Sequence, residues 1–142
     1  MNKFQPALIY NLFPLLAGPI SGWRTHLERA ASMGFNWVFL NPIQQPGESG
    51  SLYSVRDYFS LSPLLVAPDE RRPPSEILRE MLGAAHGLGL KVMLDLVLNH
   101  TAIDSPLVRD HPEWYARDKK GRVRHPGVID GKKKVIWRDL AE

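Results

Sequence analysis

The sequence contains no cysteine, so it has neither a disulfide framework nor a thiolate metal site, and thiol usage says nothing about its redox compartment. Histidine and carboxylate side chains must carry any polar chemistry. No apolar run approaches the roughly 18 uninterrupted residues that a membrane-spanning helix needs. Lys3 followed by residues 7–17 has the outline of a basic start and an apolar signal core, but Asn11 and Pro14 interrupt it and no small-residue cleavage site follows. The expectation is a soluble, cytoplasmic product without a membrane partner. Internal repeats and low-complexity tracts are absent too, so the organisation has to be read from the order of elements.

What is present is ordinary for a globular chain: 142 residues with 44% hydrophobic and 23% charged content, enough for one modest core. The formal charge is +3, and much of the excess lies in residues 117–124 and 132–134. Such a tail could touch phosphates. With no recognisable nucleic-acid motif and no interleaved aromatic platform, a solvated loop is the favoured reading and no nucleic-acid partner is expected.

Strand-like and helix-like runs alternate as far as His100, which predicts an α/β fold with a parallel sheet. Residues 7–12 form the first strand candidate, closed by Phe13 and Pro14. Trp23, Leu27, Ala30, Ala31 and Gly34 recur at helical spacing, with Ser21 as the expected cap and Gly34 as the stop. Residues 37–40 (WVFL) are a short continuous apolar run, as expected of a strand covered on both faces, and Pro42 ends it. The Gly-, Ser- and Pro-rich residues 41–74, carrying Tyr53, Tyr58 and Phe59, read as a long functional loop. After Ser75, Ile77, Leu78, Met81, Leu82 and Ala85 share one helical face, and Gly87 and Gly89 punctuate its end. Residues 90–98 (LKVMLDLVL) read as a third buried strand, apolar on both faces apart from Lys91 and Asp95, where an aspartate is costly unless partnered; after it periodicity fades and little regular structure is expected. The expected division is residues 1–98, β-α-β-α-β, and residues 99–142, a loop-rich insertion.

Active sites of parallel α/β folds gather beyond the carboxyl ends of the strands. That rule singles out Asn41, the loop with Tyr53 and Asp57, and the cluster Asp95, Asn99 and His100. Strand alternation puts Asp95 and Val97 on one side, with Asn99 in phase if the strand runs that far. The competing reading is structural: Asp95 pairs with an arginine or backbone donors, and Asn99 and His100 cap the next turn. Spacing alone leaves both open.

The wording of the chain is more specific. Residues 95–100 (DLVLNH) resemble the first signature region of glycoside hydrolase family 13, the α-amylase superfamily. IYNLFP at residues 9–14 is similar to that family's first strand, MGFNWVFLNPI at 33–43 to its second, and GSLYSVRDYFSLSP at 50–63 to its tyrosine-bearing stretch. The resemblance implies a partial (β/α)₈ TIM barrel, its first three strands and two helices, followed by the start of an inserted loop-rich subdomain. A closed barrel needs about 250 residues, so a fragment is expected rather than a complete small sheet.

Carried over residue by residue, the resemblance implies that Tyr53 stacks on the sugar in the cleaving subsite and that His100 donates a hydrogen bond to it. It implies that Asp95 organises the site through an arginine outside this chain. It implies a structural calcium through Asn99 as a weaker option, the chain otherwise needing no cofactor. The family is retaining and needs two carboxyl groups about 5 to 5.5 Å apart. Those are expected outside this chain, so none of its residues is assigned as catalytic; Asp57 and Asp95 are the best substitutes it offers. Residues 105–123, with His111, Pro112, Glu113 and Trp114, resemble maltosyltransferase-like members, and a buried plug around Trp114 is the plainer alternative. The implied substrate is an α-1,4-glucan or maltooligosaccharide, hydrolysed or transferred, with the isolated chain inactive; the alternative is a non-catalytic sugar-binding or interaction fragment. An open sheet edge leads us to expect self-association and marginal stability.

Overall fold

A computed structural model describes residues 6–142; Lys3 lies outside the described residues. The elements, in order, are β1 Ile9–Leu12, α1 Pro14–Ala17, α2 Trp23–Ser32, β2 Trp37–Leu40, β3 Gln44–Pro46, β4 Val55–Leu61, α3 Pro74–Gly87, β5 Lys91–Leu94, β6 Thr101–Ala102, α4 Pro106–Asp110, β7 Gly127–Asp130, β8 Lys133–Ile136 and β9 Leu140–Ala141. They form two compact units: Met1–Ile43 with Leu61–Leu96, and Gln44–Ser60 with Val97–Glu142. A cut at residue 98 is therefore not the line the packing follows, because residues 44–60 join the later part of the chain.

The first unit holds a parallel sheet in the order β1-β2-β5. Ile9 stands opposite Trp37 and Trp37 opposite Lys91, and the register continues to Leu12, Leu40 and Leu94. Two helices supply the rest of its core. Helix α2 buries Trp23, Leu27 and Ala30, spaced by four and three residues, and α3 buries Ile77, Met81 and Ala85, spaced by four, each set along one face. These pack with Leu12, Val38, Leu40 and Leu90 in one apolar cluster. Both helices end alike: Phe35 N–H bonds to Ala30 O and Leu90 N–H to Ala85 O, across Gly34 (φ 85°) and Gly89 (φ 75°). Only a residue free of a Cβ enters that left-handed turn without strain, and it drops the chain directly into the next strand.

Several expectations are corrected. Ser21 does not cap α2; it sits in a 3₁₀ turn, and Gly22 holds the cap position without a side-chain bond. The third strand ends at Leu94, not Leu98, with one further bond from Asp95 N–H to Leu40 O. The reason lies in its neighbour: β2 ends at Leu40, and Pro42 has no N–H with which to extend the ladder. Alternation therefore does not carry Asn99 into phase with Asp95. Nor is β5 covered on both faces, since Met93 is 37% and Leu94 42% exposed. Residues 41–74 are not all loop, for β3 and β4 pair within them.

The second unit is likewise more regular than expected. Beyond the β3-β4 pair it contains an antiparallel β6-β9 ladder and the β7-β8 hairpin. Short ladders tied by side chains replace a hydrophobic sandwich here. Ser105 Oγ donates to Arg56 O at 2.7 Å, and buried Thr101 shares a 3.0 Å hydrogen bond with the Tyr115 hydroxyl. Periodicity cannot register elements of two to four residues.

Candidate functional site

The second unit holds Asn99 and His100 of the cluster singled out after the third strand. Residues 97–100 leave the sheet as irregular chain and are fastened by β4. The Tyr58 hydroxyl lies 2.7 Å from Val97 O and 3.1 Å from His100 O, donating to these carbonyls. Burial, with the neighbouring Tyr115, pushes the Tyr58 hydroxyl above its ordinary range, so it stays a proton donor at all physiological pH. The reading of residues 41–74 as loop hid this positioning role; the signal available was one aromatic hydroxyl in a strand-like VRDYFSL stretch.

His100 is half-buried, and its Nε2 lies 2.9 Å from Tyr53 O. A carbonyl can only accept, so Nε2 carries the proton and donates. Tyr53 precedes β4, with its own N–H 3.3 Å from Ser51 Oγ and its residue 42% exposed. Tyr53 and His100 are thus brought together by a bond between backbone and ring. With Nε2 spent on the Tyr53 carbonyl, Nδ1 is the ring nitrogen left to meet a ligand.

A cleft of about 560 Å³ adjoins His100, lined among others by Tyr58, Phe59, Asn99, Trp114 and Tyr115. His111 stacks on Trp114 with ring centroids 3.9 Å apart and planes at 7°. Trp114 is 64% exposed, so it is not the buried plug considered from the sequence. Flat apolar faces beside a few polar groups suit a sugar, whose C–H face is apolar while its hydroxyls are directional.

The other residues singled out stand as follows. Asp95 belongs to the first unit, is half-exposed, and among the described residues its carboxylate has no hydrogen-bond or ion-pair partner. Its environment is therefore not the costly apolar burial expected of a strand interior. Asn41 accepts a 3.2 Å bond from Asn11 Nδ2 at the carboxyl ends of β1 and β2. Asn99 is exposed, and among the described residues no three histidine or carboxylate side chains come together as a metal site.

Asp57 is already committed. It accepts from Ser60 Oγ at 2.6 Å and Phe59 N–H at 2.9 Å, and these bonds, the serine's foremost, hold its carboxyl below the ordinary 3.8. A group held ionised makes a poor general acid. The same bonds stabilise the fold above the unfolded carboxylate range, and that contribution disappears as pH falls through the depressed folded value. Melting curves between about pH 2 and 6 are expected to show Asp57→Asn flattening part of the acid limb. An acid limb identical in the two proteins would contradict the assignment.

Comparison with known proteins bears on the family and the fold. The family model for the glucanotransferase domain of glycogen debranching enzyme matches residues 7–120. An alpha-glucosidase of Pediococcus pentosaceus is 30% identical over 111 residues, 72% of this chain and 19% of that protein. The alpha-1,4-glucan:maltose-1-phosphate maltosyltransferase of Arcanobacterium haemolyticum is 28% identical over 125 residues, 77% of this chain and 18% of its own length. The crystal structure of an alpha-amylase from Lactobacillus plantarum superposes with a TM-score of 0.75 at 29% identity, covering 96% of this chain and 31% of the amylase. The chain thus spans about a fifth of these curated relatives and about a third of that amylase structure. With the DLVLNH stretch, the parallel strand order and the match over residues 7–120 in agreement, the chain belongs to glycoside hydrolase family 13, the α-amylase superfamily, through the glucanotransferase domain of glycogen debranching enzyme.

Proposed function

We propose that these 142 residues are the opening part of a (β/α)₈ barrel and supply part of the donor-sugar pocket of a cytoplasmic enzyme. It would act on α-1,4-glucans or maltooligosaccharides by a retaining mechanism, as a hydrolase or a transglycosylase. The relatives support the substrate class, since their names describe a glucosidase, an amylase and a glucan maltosyltransferase. The observation that carries the reading is the His100–Tyr53 hydrogen bond beside an aromatic cleft. Tyr53 would cover the apolar face of a pyranose, and His100 would bond one of its hydroxyls. Asp95, unpartnered among the described residues, would orient an arginine contributed from outside residues 1–142. The attacking and protonating carboxyls would also come from outside, so the chain alone binds sugar without cutting it.

Calorimetric titration of the chain with maltoheptaose is the test. Saturable binding in the millimolar range or tighter is expected, and Tyr53→Ala should abolish it. An absence of heat at millimolar sugar overturns the assignment of a sugar pocket to this chain. Binding that survives in Tyr53→Ala overturns the role of that ring.

The same reading predicts self-association. In the described sheet β5 pairs on one side only, with β2, and Leu96 and Leu98 beyond it are 48% and 77% exposed. An unpaired parallel strand flanked by exposed leucines invites pairing with a second chain. Sedimentation velocity is expected to show a weight-average mass that rises with concentration, and Leu98→Lys should suppress the rise. A monomer at every concentration would remove this prediction.

A further inference from the structure

Residues 118–138 of the second unit enclose a cavity of about 440 Å³, distinct from the aromatic cleft, with a wall dominated by cations. Arg122, Arg124, His125, Lys134 and Arg138 line it, and Asp118 is the one carboxylate among the lining residues. The chain builds this wall from three directions. A tight turn at Gly121 (φ 75°) lets Arg117 and Val123 bridge, and it folds Arg122 back onto Asp118. Asp118 accepts from Lys120 N–H at 2.8 Å, Arg122 N–H at 3.0 Å and Arg122 Nε at 2.9 Å, so its charge is spent inside the turn.

Arg124 is pinned through its backbone, N–H to Ala116 O at 2.8 Å and O from Glu142 N–H at 3.1 Å, and its Nε donates to Glu142 Oε2 at 3.1 Å. His125 is held the same way, Nδ1 donating to Leu140 O at 2.8 Å. The opposite wall is β8. Strand alternation puts Lys134 and Ile136 on one face, and both line the cavity; Lys133 and Val135 fall on the other face and do not. Among the described residues neither Lys134 nor Arg138 has a carboxylate partner.

Arg122 and Arg124 are balanced by Asp118 and Glu142, so the uncompensated charge of the cavity is that of Lys134 and Arg138, and an anion entering beside them gains charge-assisted hydrogen bonds. A phosphate dianion offers two charges and three terminal oxygens to a lysine and guanidinium forks, where a carboxylate offers one charge and two oxygens. No phenylalanine, tyrosine or tryptophan lines the cavity, so it lacks the broad aromatic face that a bare pyranose would cover. Its size is that of a small-molecule site rather than a track for a duplex backbone. The geometry points to a binding site for a phosphate dianion, free or carried as a monoester on a sugar, held by Lys134 and Arg138 with Arg122 and Arg124 behind them.

Calorimetry and phosphorus-31 NMR with inorganic phosphate, glucose 6-phosphate and glucose test this on the full 142-residue chain. Saturable binding of one or both phosphate species is expected, with none of glucose at this cavity. Lys134→Gln and Arg138→Gln should each weaken it about tenfold, and Lys133→Gln on the other face should leave it unchanged. These side chains are exposed, and circular dichroism checks that each variant folds. Binding of both phosphate species marks a site for the dianion itself; binding of the monoester alone marks a sugar phosphate as its source. The inorganic phosphate arm owes nothing to the glucan reading, so the two can fail separately. No saturable binding by either phosphate species overturns the proposal. An equal loss in Lys133→Gln, or salt-steep retention of duplex DNA without phosphate binding, does so as well.

Discussion

Trp23→Ala is expected to abolish cooperative unfolding of the parallel-sheet unit. Trp23 is fully buried, and it sits in the apolar cluster with Leu27, Ile77, Met81 and Val38. Its indole Nε1–H donates to Gly18 O at 2.8 Å, so it also holds the turn that delivers α2 to the sheet. Truncating a buried tryptophan costs about 3 to 5 kcal/mol through lost transfer energy and the cavity left behind. Leaving the Gly18 carbonyl without its donor adds about 1 kcal/mol or more. Total domain stabilities run about 5 to 15 kcal/mol, and a three-stranded parallel sheet with exposed leucines belongs at the low end. Trp23→Phe separates the two contributions: it keeps most of the bulk, loses the donor, and should melt earlier while remaining cooperative. Urea titrations followed by far-ultraviolet circular dichroism read both. An alanine variant within about 1 kcal/mol of the native chain would mean that the core is organised around other residues.

The parts of this fold legible in the sequence are those in which one residue decides one feature. Trp37–Leu40 is an uninterrupted apolar run closed by Pro42, and it forms the central strand with those bounds. The helical faces were visible because Trp23, Leu27 and Ala30, like Ile77, Met81 and Ala85, repeat at a period no strand has. The end of β5 was not visible, because LKVMLDLVL stays apolar through Leu98 while the ladder stops with the neighbouring strand; a sequence window does not contain its partner. The second unit was illegible for a related reason. Its ladders are two to four residues long and joined by side-chain bonds such as Ser105 to Arg56, which leave no periodic trace.

The site divides along the same line. Alternation argued that Asp95 and Asn99 share a face, and the early end of the strand removes that argument. The pairing of Tyr53 with His100, separated by 47 residues, came only from family resemblance, and the structure joins the two. Tyr58 stands out in the sequence only as one aromatic of a long loop, because its fastening of residues 97–100 depends on two backbone carbonyls no pattern announces.

On the proposed glucan reading, His100→Ala is expected to lower turnover by about a hundredfold to a thousandfold, in the polypeptide that unites this chain with its cutting carboxyls. The ring does two things that must be told apart. It ties residues 97–100 to the Tyr53 backbone, and on this reading its Nδ1 would meet a hydroxyl of the bound sugar. His100→Gln separates them, because a glutamine amide can still donate to Tyr53 O yet lacks the second ring nitrogen. Melting temperature should therefore recover in the glutamine variant while kcat/KM does not. If the sugar contact strengthens as the anomeric carbon gains positive charge, kcat should fall more than KM rises. Glutamine restoring turnover to within about threefold would reduce His100 to a fastener of the loop. The sugar pocket would then have to be built on Tyr53 and the Trp114 face alone.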